Sequence, residues 1–202
     1  MKRPSYSVSY VNSAIHRTQF CVPSKLHELL IVWAETTPGL HTFKLEGPTY
    51  EYLDGAVEKT TSVPMTVTLV DGCIQHWDFS RSAAHAKPSP ARQVRAAHAL
   101  HLGIEQFTLY EPLCWLEQTE TRNRLTAHTL LYQGATHDTA LAEASALTAL
   151  HNSSMSLESL TTVLELTSVQ TSLVFLRCWL KGRLHWDIKS EPLGSKLMVG
   201  RK

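Results

Sequence analysis

Two Asp-Gly dipeptides, Asp54-Gly55 and Asp71-Gly72, each lie between extended runs of residues. Glycine accepts the positive φ that tight hairpin turns need, so this pattern is a strong signal for antiparallel strands. The runs cover residues 41–45, 49–53, 64–70 and 73–79. A helix precedes them, from residue 25 to about 36. Ser24 is a good N-cap, Leu26, Leu29, Leu30 and Trp33 share one face, and Pro38-Gly39 ends it.

A second helix follows the strands. Pro90 opens it, it runs over 91–102, and Gly103 caps it. Residues 105–110 form an apolar strand, and 111–131 read mostly as helix. The order is helix, antiparallel strands, helix, strand, helix. It predicts an α/β domain over residues 23–132, with a mixed sheet and a helix crossing between neighbouring strands. Residues 1–22 are polar and serine-rich and read as an N-terminal arm.

Residues 133–139 are a polar break and read as a linker. Beyond it come three short helices, starting near residue 140, after Ser156 and after Thr167, with a tight turn at Glu165-Leu166-Thr167. In the last helix Val169, Leu173, Leu176 and Leu180 form the expected buried stripe. Gly182 stops it, and 184–188 alternate like a strand. This pattern predicts a winged helix-turn-helix over 140–190, with 191–202 as a C-terminal tail.

Composition narrows the function classes. Hydrophobic residues make up 43% and charged residues 18% of the 202, enough to build a core. The net charge of +1 argues against binding nucleic acid by bulk attraction, so any DNA contact needs local basic faces. Cys21, Cys73, Cys114 and Cys178 are scattered, without zinc or redox spacing, which predicts reduced thiols and a cytoplasmic location. No apolar run approaches the roughly 18 residues of a membrane span. Among eleven histidines no HExxH occurs, and His98 and His101 have no partner motif. Trp33, Trp77 and Trp115 read as core aromatics.

Short motifs then align with a known family. They are Ser24-Lys25-Leu26-His27, Ala34-Glu35-Thr36-Thr37-Pro38, Phe43-Lys44-Leu45-Glu46, Asp71-Gly72 through His76-Trp77-Asp78-Phe79, His85-Ala86-Lys87-Pro88, Leu102-Gly103 to Leu109-Tyr110-Glu111, and 123–132. Over about residues 20–190 the chain resembles the TnsA-like transposon endonucleases. The resemblance implies a restriction-endonuclease-like PD-(D/E)xK fold followed by a winged helix. It also implies a metal site, with Asp78 as ligand and Lys87 stabilising the attacking water or the charged phosphorane. The partners it implies are a transposase subunit, a target-selection ATPase and DNA.

The departures sit at the chemistry. His27 stands where the family has the first-helix glutamate, with Glu28 one residue out of register, and His85 stands where the family has the acid of the "ExK" motif. A lone aspartate is a poor Mg²⁺ or Mn²⁺ site. The expectation is therefore an inactive accessory component without a cofactor. The alternatives are an active endonuclease using Mg²⁺ or Mn²⁺ with Asp78 as metal ligand and Lys87 as transition-state stabiliser, a variant site in which His27 and His85 favour a softer transition metal, a misalignment that hides the real acids at Glu46 or Glu28, and a winged-helix DNA-binding regulator.

Candidate DNA contacts are Arg92 and Arg95 on the helix after the sheet, and Gln170, Thr171 and Arg177 on the third helix of the second domain, with Lys181 and Arg183 at the wing. Val174, Phe175 and Trp179 are expected on or near that helix's open side, which suits a protein partner as well as DNA.

Overall fold

A computed structural model describes residues 8–82, 86–111, 118–151 and 153–201. The described residues are mixed α/β, with several sheets and six helices. Its chain divides into two compact units, neither of them continuous. One comprises residues 1–10, 21–34 and 40–115, and the other 11–20, 35–39 and 116–202.

The first unit is built on helix α1 (Lys25–Glu35) and a four-stranded sheet. Its strands are β3 (Leu40–Leu45), β6 (Met65–Leu69), β7 (Ile74–Ser80) and β8 (Glu105–Tyr110), in the order β3-β6-β7-β8. The first three pair antiparallel; β8 joins β7 in parallel after the crossover helix α2 (Pro90–His101). Between β3 and β6 the chain makes a separate hairpin, β4 (Thr49–Asp54) with β5 (Val57–Ser62). The two Asp-Gly pairs form the β4–β5 and β6–β7 turns, with φ of 65° at Gly55 and 86° at Gly72. Strand β5, Val-Glu-Lys-Thr-Thr-Ser, has no alternation to betray it, so the sequence reading missed it.

Side-chain alternation gives the four-stranded sheet two unlike faces. Phe43, Met65, Val67, Trp77 and Leu109 are buried on one face. There Phe79 meets His27 of α1 edge-on, with ring centroids 4.7 Å apart. The face under α2 carries Thr66, His76, Asp78, Ser80 and Thr108 instead. A sheet face that is both polar and covered is unusual, because buried polar groups need partners.

The polar N-terminal segment is not a bare arm. Residues Ser9–Ser13 (β1) and Thr18–Val22 (β2) make a two-stranded sheet, since Arg17 adopts a left-handed turn conformation.

In the second unit, helices α3 (Thr119–Gln133), α4 (Ala140–Ala149), α5 (Leu157–Leu164) and α6 (Ser168–Leu180) pack with a three-stranded sheet. Its strands are β9 (Met155–Ser156), β10 (Leu184–His185) and β11 (Met198–Arg201), in the order β10-β11-β9. Ser156 caps α5, Glu165 turns the chain in the left-handed region, and Thr167 closes a capping box with Gln170. Helices α5 and α6 meet at 106°.

The expected tail over 191–202 is instead structural. Leu197 and Val199 are buried, and β11 is the middle strand. Residues 134–139 are likewise held: Arg177 donates to the carbonyls of Gly134 and His137, each at 2.7 Å. Among the described residues no single helix is long and apolar enough to cross a membrane.

The loop between β10 and β11 is fixed from both sides. Trp186 stands edge-on to Trp179 and Phe175, with centroids 5.0 and 5.8 Å away, and its Nε1 donates to the Glu191 carbonyl. Asn123 of α3 donates to the carbonyls of Ile188 and Glu191 and accepts from Leu193 N–H. Trp186→Ala is expected to cost about 3–5 kcal/mol by opening a cavity in this core, measured by urea denaturation followed by far-UV circular dichroism.

Candidate functional site

Asp78 lies near the end of β7, pointing beneath α2. Arg95, one turn into that helix, donates from Nε (3.0 Å) and Nη2 (2.7 Å) to Asp78 Oδ2. Arg95 Nη1 also bonds Thr61 of β5. The aspartate is 8% and the arginine 9% exposed, so both charges are largely withdrawn from water. Arg92 Nε lies 3.8 Å from the same Oδ2, its Nη2 reaches Thr108 Oγ1 at 3.5 Å, and its guanidinium lies 5.6 Å from the Tyr110 ring centroid. The remaining oxygen, Oδ1, accepts Phe79 N–H at 2.7 Å.

This corrects one expectation. Arg95 is not an outward phosphate contact; it is the buried counter-ion of Asp78. Asp78, in turn, is engaged as the acceptor of a guanidinium fork, a geometry that satisfies a carboxylate without a metal. Among the described residues no group of three or more His, Cys, Asp or Glu side chains could hold a metal ion.

The other expected catalytic residues are spread out. Lys87 is exposed in the loop before α2, not on a strand beside Asp78. His85 lies outside the described residues. His27 Nδ1 is 2.8 Å from Ser24 Oγ on the opposite, apolar side of the sheet, and burial pushes its pKa below the ordinary value. Glu28 pairs with Lys25, and Glu46 occupies a left-handed turn position. Trp33 and Trp77 are core residues as expected, while Cys114 and Trp115 fall outside the described residues. Cys178 is buried, and that burial pushes its thiol up to about 11.

The candidate DNA set on α6 is also redistributed. Thr171 is fully buried and bonds the Thr167 carbonyl. Arg177 braces residues 134–139, and Lys181 pairs with Glu143 at 2.5 Å. Gln170 is exposed but serves the capping box, and Arg183 is exposed. Val174, Phe175 and Trp179 are not on an open side; they are the core of the second unit, so α6 keeps exposed positions only at Ser168, Val169 and Gln170.

Sequence reading missed the polar set around this pair: His76 and Thr108 beside Asp78, Thr66 opposite His76, Thr61 bonded to Arg95, and Tyr50 opposite Thr61. The available signal was the polar alternation His76-x-Asp78-x-Ser80 within an otherwise apolar strand. A second buried polar cluster was also missed. Glu35, ending α1, accepts from Ser13 Oγ and from the N–H groups of Ala14 and Ile15, with His128 Nε2 at 3.2 Å. The carboxylate sits between hydroxyl and imidazole, so the trio fastens the β1–β2 turn and does not form a nucleophile-base relay.

No protein-family model and no curated protein matches the chain.

Two outcomes follow from these clusters. Asp78→Leu should cost about 3–5 kcal/mol by stranding buried guanidinium groups, and adding Arg95→Met should recover more than about 1 kcal/mol, read from chemical denaturation of the single and double variants. At Glu35, burial raises the pKa but the bonds from His128, Ser13 and Ala14 outweigh it, leaving a net depression. A depressed carboxylate contributes stability above its unfolded pKa and loses it as pH falls through the folded value. Melting temperature should therefore fall on acidification below about pH 4.5, and Glu35→Gln should flatten that fall.

Proposed function

We propose that this chain is a TnsA-like component of a DNA transposition system that has kept an endonuclease-like framework and lost cleavage chemistry. It works by binding: to a transposase subunit or target-selection ATPase, and to DNA. The observation that carries the reading is the Arg95 fork on Asp78 Oδ2, backed by Arg92 at 3.8 Å. In a metal-dependent nuclease that carboxylate must be available to a hard cation. Here two positive side chains occupy its surroundings, and a divalent ion at the same oxygen would face their repulsion.

The remaining support is architectural and therefore coarser. An antiparallel run of three strands, a crossover helix and a parallel fourth strand is the framework the family resemblance requires. Three helices with the α5–α6 turn and strands in the order β10-β11-β9 fit a winged helix-turn-helix. Fold of this kind supports a class of function without fixing it. Because α6 exposes only its first turn, the reading puts DNA contact at exposed Arg183 and the α6 start.

The test is a nicking assay on supercoiled DNA with Mg²⁺ and with Mn²⁺, run beside a pull-down against the products of neighbouring genes. The expected result is no metal-dependent nicking together with retention of a transposase or ATPase. Metal-dependent nicking that disappears in Asp78→Ala overturns the reading.

A further inference from the structure

The polar face under α2 holds more donors than the protein satisfies. Arg92 Nε, His76 Nδ1, Thr66 Oγ1 and Tyr50 Oη are buried atoms without a hydrogen-bond partner. They are linked through the structure. Thr66 stands opposite His76 in the β6–β7 ladder, and His76 lies two residues before Asp78 on the same face. Tyr50 stands opposite Thr61 in the β4–β5 ladder, Thr61 bonds Arg95, and Tyr50 stacks flat on His98 of α2 at 4.0 Å. A buried polar atom left unpaired costs about 1–3 kcal/mol, so several of them along one helix–sheet face need a reason.

Charge supplies the reason. Two guanidinium groups face one carboxylate, leaving a formal surplus of one positive charge. Arginine offers only donors. Asp78 Oδ2 is already taken by two Arg95 hydrogen bonds, and Arg92 Nε stops 3.8 Å short of it. Histidine, tyrosine and threonine can each donate, and burial keeps His76 toward its neutral form. Such a set is complemented by a compact group bearing negative oxygens. The Arg92 side chain is 18% exposed, whereas His76 is 3% exposed. The approach is thus past Arg92, and a small free ion fits this burial better than a duplex backbone.

We propose that the polar face between α2 and the four-stranded sheet binds one free phosphate-class oxyanion, with Arg92 as its principal ligand and His76 and Thr66 as further donors. Arg95 and Asp78 position the site and remain paired to each other. The proposal goes beyond the transposition reading and does not depend on it, because it needs no divalent metal and no cleavage.

The test titrates the full chain with inorganic phosphate, without divalent metal, at constant ionic strength set by chloride. Calorimetry and ³¹P NMR read the binding. The expected result is saturable one-to-one binding, weakened by about tenfold or more in Arg92→Gln, with Arg92→Lys weakened less. Arg92→Gln leaves the Asp78–Arg95 pair in place, and circular dichroism verifies its fold. A short duplex without terminal phosphates should not displace the bound ion. Absence of saturable binding, equal binding by Arg92→Gln, or displacement by the duplex each overturns the proposal; the first two also correspond to buried atoms satisfied by water alone.

Discussion

The ion pair between Asp78 and Arg95 decides how the first unit is assembled. A strand, a crossover helix and the β4–β5 hairpin converge on it, because Arg95 also binds Thr61. Neither charge could be buried alone: withdrawing an unpaired ion from water costs several kcal/mol. The pair therefore fixes how far α2 slides along the sheet. Hydrophobic contact fixes that poorly here, since the covered face is threonine, histidine and serine rather than leucine and valine. The apolar face behind it, with Phe43, Met65 and Val67, supplies burial, and the polar face supplies registration.

The second unit solves the same problem with backbone partners. Arg177 and Asn123 each satisfy several main-chain groups of a neighbouring segment, and Glu35 does so for the β1–β2 turn. Irregular backbone is costly to bury unless its N–H and C=O groups are answered. Single polar side chains answer them here, so segments that look like linkers in composition are tied to the fold by hydrogen bonds.

What was legible in the sequence was whatever local rules enforce. The Asp-Gly turns, the Ser156 and Thr167 caps, Pro90 at the start of α2 and the apolar stripe of α1 all act within a few residues. The order of helices and strands followed. Strand β5 was illegible because Val-Glu-Lys-Thr-Thr-Ser carries no alternation, even though its partner β4 is the preceding strand; strand β11 was illegible because it pairs with β9 some forty residues away. At the candidate site, Asp78 was visible as a lone acid in an apolar strand, but its role was not. The guanidinium that takes it lies seventeen residues on, and its spacing signals only a helix face. Register failed in the same way on α6. Of the stripe expected to face inward, Leu173 and Leu176 are buried but Val169 is exposed, and Thr171 and Phe175, expected on the outer side, face inward as well.

The discontinuous division of the chain has a consequence for inheritance. Residues 11–20 and 35–39 belong with residues 116–202, so the chain passes repeatedly between the two units. A contiguous gene fragment that carries one unit whole must therefore carry part of the other as well, whereas α5 and α6 lie together inside the single segment 116–202.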